Sequence, residues 1–203
     1  IAKGSTGDRS YTATWTANNY KYTVTVAQNV ETATTITIVA NGVEKTIAAS
    51  GTVEFDIPYN TTFTPTVKFA AQSGKSYNLV WGTSASKTAS TADSAISGAQ
   101  ATMKTTDITA TVTLTEIFTV TATTNDVSMG TVSPASTTVL YGGTTETLTA
   151  TANTNYEFVS WSTTAGTLSS TTSTTTTLTN VTTNATVTAT FGLPKPYLSK
   201  NWK

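Results

Sequence analysis

Residues 108–123 read ITATVTLTEIFTVTAT. Ile108, Ala110, Val112 and Leu114 alternate with Thr109, Thr111 and Thr113, and then Phe118, Val120 and Ala122 alternate with Thr119, Thr121 and Thr123. A period of two belongs to a β-strand, because successive side chains point to opposite faces. The apolar set faces a core and the hydroxyls face water or a neighbour, as in a sheet with one wet face. Between the two runs, Leu114–Phe118 leaves no room for a linker. One predicted closing strand passes straight into the next opening strand, which implies stiff stacking rather than beads on a flexible string.

The same alternation recurs on both sides. Tyr22, Val24 and Val26 alternate with Thr23 and Thr25, and Ala185, Val187, Ala189 and Phe191 alternate with Thr186, Thr188 and Thr190. Near the start, Tyr11, Ala13, Trp15 and Ala17 are interleaved with Thr12, Thr14 and Thr16. Asn41-Gly42, between predicted strands 34–40 and 43–48, reads as a tight hairpin turn. Gly142-Gly143 is expected to play a similar role before a strand over 144–152.

Composition agrees with a sheet protein. About a quarter of the 203 residues are Thr, which suits a half-solvated strand face. Leu, Glu and Lys, the long helix formers, are scarce. Apolar residues make up 37%, enough for small cores rather than one large one. There are 11 basic and 11 acidic residues, giving zero net charge, and the only basic cluster is Lys195, Lys200 and Lys203. Such a chain cannot neutralise a run of phosphates, so nucleic acid is excluded as a partner. No apolar run is long enough for a membrane-spanning helix, and no basic amphipathic stretch suits a membrane surface. The absence of Cys excludes disulfides and thiolate metal sites. Low charge and Thr-rich alternation favour an extracellular or bacterial cell-surface location.

One pattern appears twice, about 80 residues apart, a spacing that suits a small repeated domain. The first copy runs through Tyr59, a strand over 62–70 and Tyr77-Asn78-Leu79-Val80-Trp81. The second runs through Tyr141, a strand over 145–152 and Tyr156-Glu157-Phe158-Val159-Ser160-Trp161. Each then crosses a Ser/Thr-rich stretch, 82–98 or 162–176, read as an exposed and partly mobile loop. Each ends in a closing strand, over 108–115 and 186–191. The preceding turns also match, Lys104-Thr105-Thr106-Asp107 against Asn180-Val181-Thr182-Thr183-Asn184. In the second copy strict alternation sets Trp161 opposite Tyr156 unless a bulge intervenes. These aromatics read as core anchors rather than a sugar platform.

Thr131-Val132-Ser133-Pro134, Tyr141-Gly142-Gly143, Leu148-Thr149-Ala150-Thr151-Ala152, the Tyr156 to Trp161 strand and Ala185 to Phe191, taken in order, resemble the divergent internalin-type B-repeat, or bacterial repeat domain. The resemblance covers 118–191 almost completely and 20–117 more loosely, with a longer front half and Gln72-Ser73-Gly74-Lys75-Ser76 inserted. Lys3 to Trp15 looks like the closing turn and strand of another repeat. The resemblance implies tandem β-rich units of a secreted or surface protein, with no shared catalytic residues. The expected fold is all-β: small β-sandwich or β-grasp-like repeats arranged as a rod. The divisions are 1–19, a closing strand of a preceding repeat or a donor strand; 20–117 and 118–192, two repeats; and 193–203, a tail with two Pro residues that end the sheet.

A search for chemistry ends without a catalytic constellation. No His means no Ser-His-Asp or Cys-His arrangement. Glu54 and Asp56 share one strand face about 7 Å apart, and read as a solvated outer face rather than a glycosidase pair. No calcium loop is present. The expectation is a protein that is not an enzyme and binds no cofactor or metal. Its expected role is structural or adhesive, and its partners are other protein subunits or adjacent repeats. A carbohydrate-binding module facing a host or cell-wall glycan is the alternative, and a spacer in a secreted enzyme another. The residues singled out for self-association are Tyr11, Thr12, Ala13, Thr14 and Trp15, which could complete a neighbouring subunit by strand addition, and Tyr197, Leu198 and Trp202. Lys21 and Lys68 lie on predicted strands where a Lys–Asn or Lys–Asp isopeptide cross-link would strengthen a Cys-free fibre.

Overall fold

The computed structural model describes residues 10, 12–82, 85–86 and 96–194. They form an all-β structure with two separate hydrophobic cores. The first repeat uses β1 (Asn19–Asn29), β2 (Ile36–Ala40), β3 (Val43–Ile47), β4 (Gly51–Pro58), β5 (Thr62–Phe63), β6 (Thr66–Phe69), β7 (Ser76–Trp81), β8 (Ala85–Ser86), β9 (Ile96–Ser97) and β10 (Ala101–Thr102). The 17-residue β11 (Ile108–Thr124) closes the first repeat and opens the second. The second continues through β12 (Gly130–Ser133), β13 (Ser136–Leu140), β14 (Leu148–Ala152), β15 (Glu157–Thr163), β16 (Thr167–Leu168), β17 (Thr175–Thr176), β18 (Leu178–Thr179) and β19 (Ala185–Gly192).

The joint predicted at Leu114–Phe118 is no joint in the backbone, because β11 runs through it unbroken. Its first half lies between β1, parallel, and β7, antiparallel. Its second half lies between β13, antiparallel, and β19, parallel. Ile117 pairs with Ser76 of β7 and Leu140 of β13, which places those two strands on opposite edges. The first repeat therefore has the strand order β4-β1-β11-β7, and the second has β13-β11-β19-β15. Each is a parallel central pair flanked by two antiparallel strands. This is the repeat seen in the sequence, now visible as topology.

Each sheet packs its apolar face against short strands. In the first repeat, Tyr22, Val24, Phe55, Leu79, Trp81, Val112 and Leu114 meet Ile36, Ile38, Val67 and Phe69 of the β3-β2-β6-β9 sheet. In the second, Phe118, Val120, Trp161, Val187 and Phe191 meet Leu148 and Ala150 of the β12-β14-β17 sheet and Leu178 of the β16-β18 pair. Full burial of one such side chain stabilises by about 1.5–3 kcal/mol. The arrangement is sandwich-like. A β-grasp needs a helix across its sheet, and the described residues contain none.

Local expectations fare unevenly. Asn41 and Gly42, with φ of 48° and 77°, make the hairpin turn between β2 and β3, since two successive positive φ values match the strand twist. Gly142-Gly143 makes a turn but no hairpin: β13 pairs with β11, and the next strand, β14, pairs with β12 and β17. The strand expected over 62–70 is divided into β5 and β6 at Pro65, which has no amide for a ladder. The stretch 162–176 is built rather than open. It holds β16 and a hydroxyl network in which Thr176 Oγ1 donates to the Ser170 carbonyl at 2.8 Å and Ser169 Oγ accepts the Thr177 amide at 2.9 Å. The bulge allowed for in the Tyr…Trp strand exists: the β15–β19 register shifts between Phe158 and Ser160. It leaves Val159 exposed, buries Trp161 and brings the Phe158 and Trp161 rings to 5.5 Å.

The closing or donor strand expected over 11–17 has no partner strand among the described residues. Residues 12–18 form no strand and are exposed; Tyr11 lies outside the described residues. Alternation supplies suitable side chains, but a strand also needs a partner for its amides and carbonyls. Both edges of β1 are already taken, by β4 and β11.

Candidate functional site

Among the described residues, the places that join and bound the repeats are the joint between them, the sheet edges and the exposed residues 12–18.

The joint centres on Glu116. Core-facing positions of β11 run Val112, Leu114, Glu116, Phe118 and Val120, so a carboxylate stands in phase with the apolar row and is 2% exposed. An unpaired charge there would be costly. Lys75 answers it, with Nζ 2.9 Å from Glu116 Oε1 and 2.8 Å from Glu31 Oε2. The other Glu116 oxygen accepts the Glu31 backbone amide at 2.9 Å. The hydrogen bonds to Glu31 and then Glu116 hold the Lys75 ammonium above its usual pKa. Lys75 belongs to the Gln72–Ser76 insertion of the first repeat, so the insertion supplies the cation for the joint. The backbone takes part too, since the Glu116 carbonyl accepts the Tyr141 amide at 2.9 Å.

The turns that bracket each opening strand are built twice. Tyr59 donates its amide to the Asn18 carbonyl, as Tyr141 does to that of Glu116. Asn60, with φ of 61°, donates to the Met103 carbonyl, as Gly142, with φ of 73°, does to that of Val181. Asp107 Oδ1 accepts the Lys21 amide at 2.7 Å, and Asn184 Oδ1 accepts the Thr119 amide at 2.8 Å. The Tyr20 and Tyr59 rings lie 6.4 Å apart, and the Phe118 and Tyr141 rings 6.1 Å apart. The turns can be matched by their letters alone, but letters do not show that Asp107 and Asn184 do the same work.

The outer sheet edges differ. On β4, Glu54 and Asp56 face Lys21, whose Nζ is 2.9 Å from Asp56 and 3.7 Å from Glu54, and Lys45 Nζ contacts the Glu54 carbonyl. On β15, the Trp161 amide donates outward to the Thr171 carbonyl and its indole to the Ser173 carbonyl, both at 2.8 Å. On β13 neither device is present: Ser136-Thr137-Thr138-Val139-Leu140 has no charge and pairs only with β11 among the described residues. Leu140 is 44% and Tyr141 37% exposed at its end.

Of the residues proposed for self-association, Thr12, Ala13, Thr14 and Trp15 are exposed and unpaired, with Trp15 at 89%. Tyr11, Tyr197, Leu198 and Trp202 lie outside the described residues. Lys21, singled out for a cross-link, forms an exposed ion pair with Asp56, Nζ to Oδ1 at 2.9 Å. A cleft of about 410 Å³ is lined by Tyr22, Trp81, Gln100, Thr109 and Thr111. Burial pushes the Tyr22 hydroxyl up to about 12. No cluster of His, Cys, Asp or Glu among the described residues could hold a metal ion.

Residues 119–194 match the family model of the divergent InlB B-repeat domain, so the second repeat is a domain of this kind. No curated protein matches the chain. Among solved structures, the major pilin from Streptococcus pyogenes is 13% identical, with a TM-score of 0.26, 87% of this chain covered and 99% of the pilin. The T-13 major pilin from Streptococcus pyogenes is 9% identical, with a TM-score of 0.25, 88% of this chain covered and 100% of the pilin. These scores are too low for either pilin to inform the reading of this fold or its function.

Proposed function

We propose that this chain is a stiff, non-catalytic segment of a bacterial surface or secreted protein, acting as a structural or adhesive spacer. The observation behind this reading is β11. A single 17-residue strand serves two cores, so the repeats cannot swivel about a linker without breaking its ladder. At about 3.3 Å per residue, β11 alone spans about 55 Å. The buried Glu116–Lys75 contact adds a second restraint at the same level. The match of the second repeat to a bacterial repeat domain supports a surface or extracellular location.

Small-angle scattering of the chain tests the stiffness. A narrow distribution of shapes is expected for the parent, and a broad one after Gly-Gly-Ser-Gly is inserted between Glu116 and Ile117. Equal distributions for the two would refute the stiff-spacer reading. Self-association is the second part of the proposal: residues 11–17 add to a sheet of a neighbouring copy. It draws on the exposed, strand-free state of residues 12–17. Both four-stranded sheets already hold their closing strands, so addition occurs at an edge rather than in a gap. The sugar-platform alternative draws less support, because Tyr77, Trp81 and Trp161 are buried.

A further inference from the structure

We infer that β13 is the acceptor, and that residues 12–17 of one copy pair along the free edge of β13 in a second copy. The inference rests on the strand-addition part of the proposed function and names its missing half.

Elimination among the edges comes first. A free strand edge invites pairing unless charge, proline or cover blunts it. The β4 edge is blunted by Lys21, Lys45, Glu54 and Asp56, and β3 carries Glu44 and Lys45. The β15 edge is covered by the Thr171 and Ser173 carbonyls. The short β12 runs into Pro134, which has no amide to donate. The outer edge of β7 already takes β8 at Val80 and Trp81. That leaves β13 as the uncharged edge of four residues or more with no strand laid on it among the described residues. It also extends a sheet that already crosses both repeats.

The donor matches this edge. Thr12-Ala13-Thr14-Trp15-Thr16-Ala17 is long enough to cover the five residues of β13, uncharged and strand-prone. Trp15 is the most exposed aromatic described, and Leu140 and Tyr141 form a partly exposed apolar patch at the end of β13. Pairing covers both.

The donor must come from another copy. β1 is parallel to β11 with Tyr22 opposite Ile108, which sets Asn19 level with residue 105, twelve residues before Ile117, where β13 begins to pair. Twelve residues of strand are about 40 Å. From Asn19, residues 12–18 fully extended reach about 25 Å. A chain therefore cannot place this segment on its own β13. The contact joins two different surfaces, and such contacts propagate into open arrays unless the rotation closes them.

Because the chain has no Cys, two single-cysteine variants of the full chain report the contact directly. Thr14→Cys and Thr138→Cys are mixed, oxidised and run without reductant. Sedimentation of Thr138→Lys, with Thr52→Lys on the blunted β4 edge as control and circular dichroism to verify folding, measures its strength. The expected results are a mixed disulfide joining the two introduced thiols, at least tenfold weaker association for Thr138→Lys, and no change for Thr52→Lys. If the parent associates, loses association when residues 1–17 are deleted, and yet is indifferent to Thr138→Lys and forms no mixed disulfide, β13 is the wrong acceptor while strand addition stands. If the parent stays monomeric at millimolar concentration, both fail, and the stiff-spacer reading is judged on scattering alone.

Discussion

The two repeats share one four-stranded sheet and differ in almost everything laid over it. The first covers its sheet with the β2–β3 hairpin and β6, and packs Tyr22, Phe55, Phe63, Phe69, Tyr77 and Trp81 inside. The second has no counterpart to that hairpin; β12 and β14 do the covering, with Phe118, Trp161 and Phe191 as its buried rings. The Trp strand is straight in the first, where Tyr77, Leu79 and Trp81 alternate inward, and bulged in the second. Yet the pairing partners remain equivalent: Trp81 lies opposite Val112, and Trp161 opposite Ala189. The bulge lets a different spacing of aromatics reach the same register. What persists between the repeats is backbone pairing and the turns that anchor it. What drifts is the covering layer, where any side chains of suitable total volume suffice.

The tryptophans give the largest expected effects. Trp81→Ala and Trp161→Ala each empty a core anchor and should cost about 3–5 kcal/mol. Trp161→Ala also leaves the Ser173 carbonyl without its donor, so the second repeat should suffer at least as much as the first. Chemical denaturation of the two variants ranks them. A smaller loss for Trp161→Ala would mean that the 169–175 segment stabilises the second core without the indole.

The joint comes next. Lys75→Met strands Glu116 in the interior, and removing one partner of a buried pair costs about 3 kcal/mol. The double variant Lys75→Met with Glu116→Leu should recover most of that loss, because a well-packed apolar pair can replace a buried ion pair. Denaturant midpoints for the single and double variants decide the matter. A double variant no better than the single would show that Glu116 is needed for more than its charge.

Alkaline pH should separate the repeats by a smaller margin. Lys75 has a raised pKa in the folded state, so its contribution is complete below the unfolded value of about 10.4 and is lost as pH rises through the folded one. Tyr22 is held neutral by burial up to about 12, whereas an unfolded tyrosine ionises near 10. Between those values the unfolded chain releases a proton that the folded one keeps, so stability falls. Both groups belong to the first repeat. Hydrogen exchange, with protection factors corrected for intrinsic rate at each pH, should show the first repeat opening more readily at pH 11 than at pH 8, relative to the second. Uniform loss of protection would contradict this.

The smallest effects test the equivalence itself. Asp107→Ala and Asn184→Ala each remove a side-chain acceptor for a strand amide, that of Lys21 in β1 or Thr119 in β11, and each should cost about 1 kcal/mol. Thermal melts that differ by more than a factor of three in the inferred loss would mean that the two turns are alike in shape only.

Much of the fold is legible in the order of the residues. The interleaving of Thr with Val, Ala, Leu and Phe places the strands, and the Tyr…Trp spacing reveals the repeat. The joint is harder to read. Glu116 stands in step with Leu114 and Phe118, so a charge in a core-facing phase is the one signal that marks it. Nothing local points to Lys75 as its partner, because Lys75 lies 41 positions away in a turn that reads as mere insertion. Residues 12–17 show the converse, a sound local pattern with no partner strand among the described residues.

Side-chain order along the chain settled which residues would be strand and which face would be apolar, because that information is local and repeats every second residue. Three-dimensional packing settled which strand lies beside which, that one strand serves two cores, where the bulge falls and which edge stays bare. Those outcomes depend on hydrogen bonds between segments far apart in the chain, and alternation is equally compatible with many pairings.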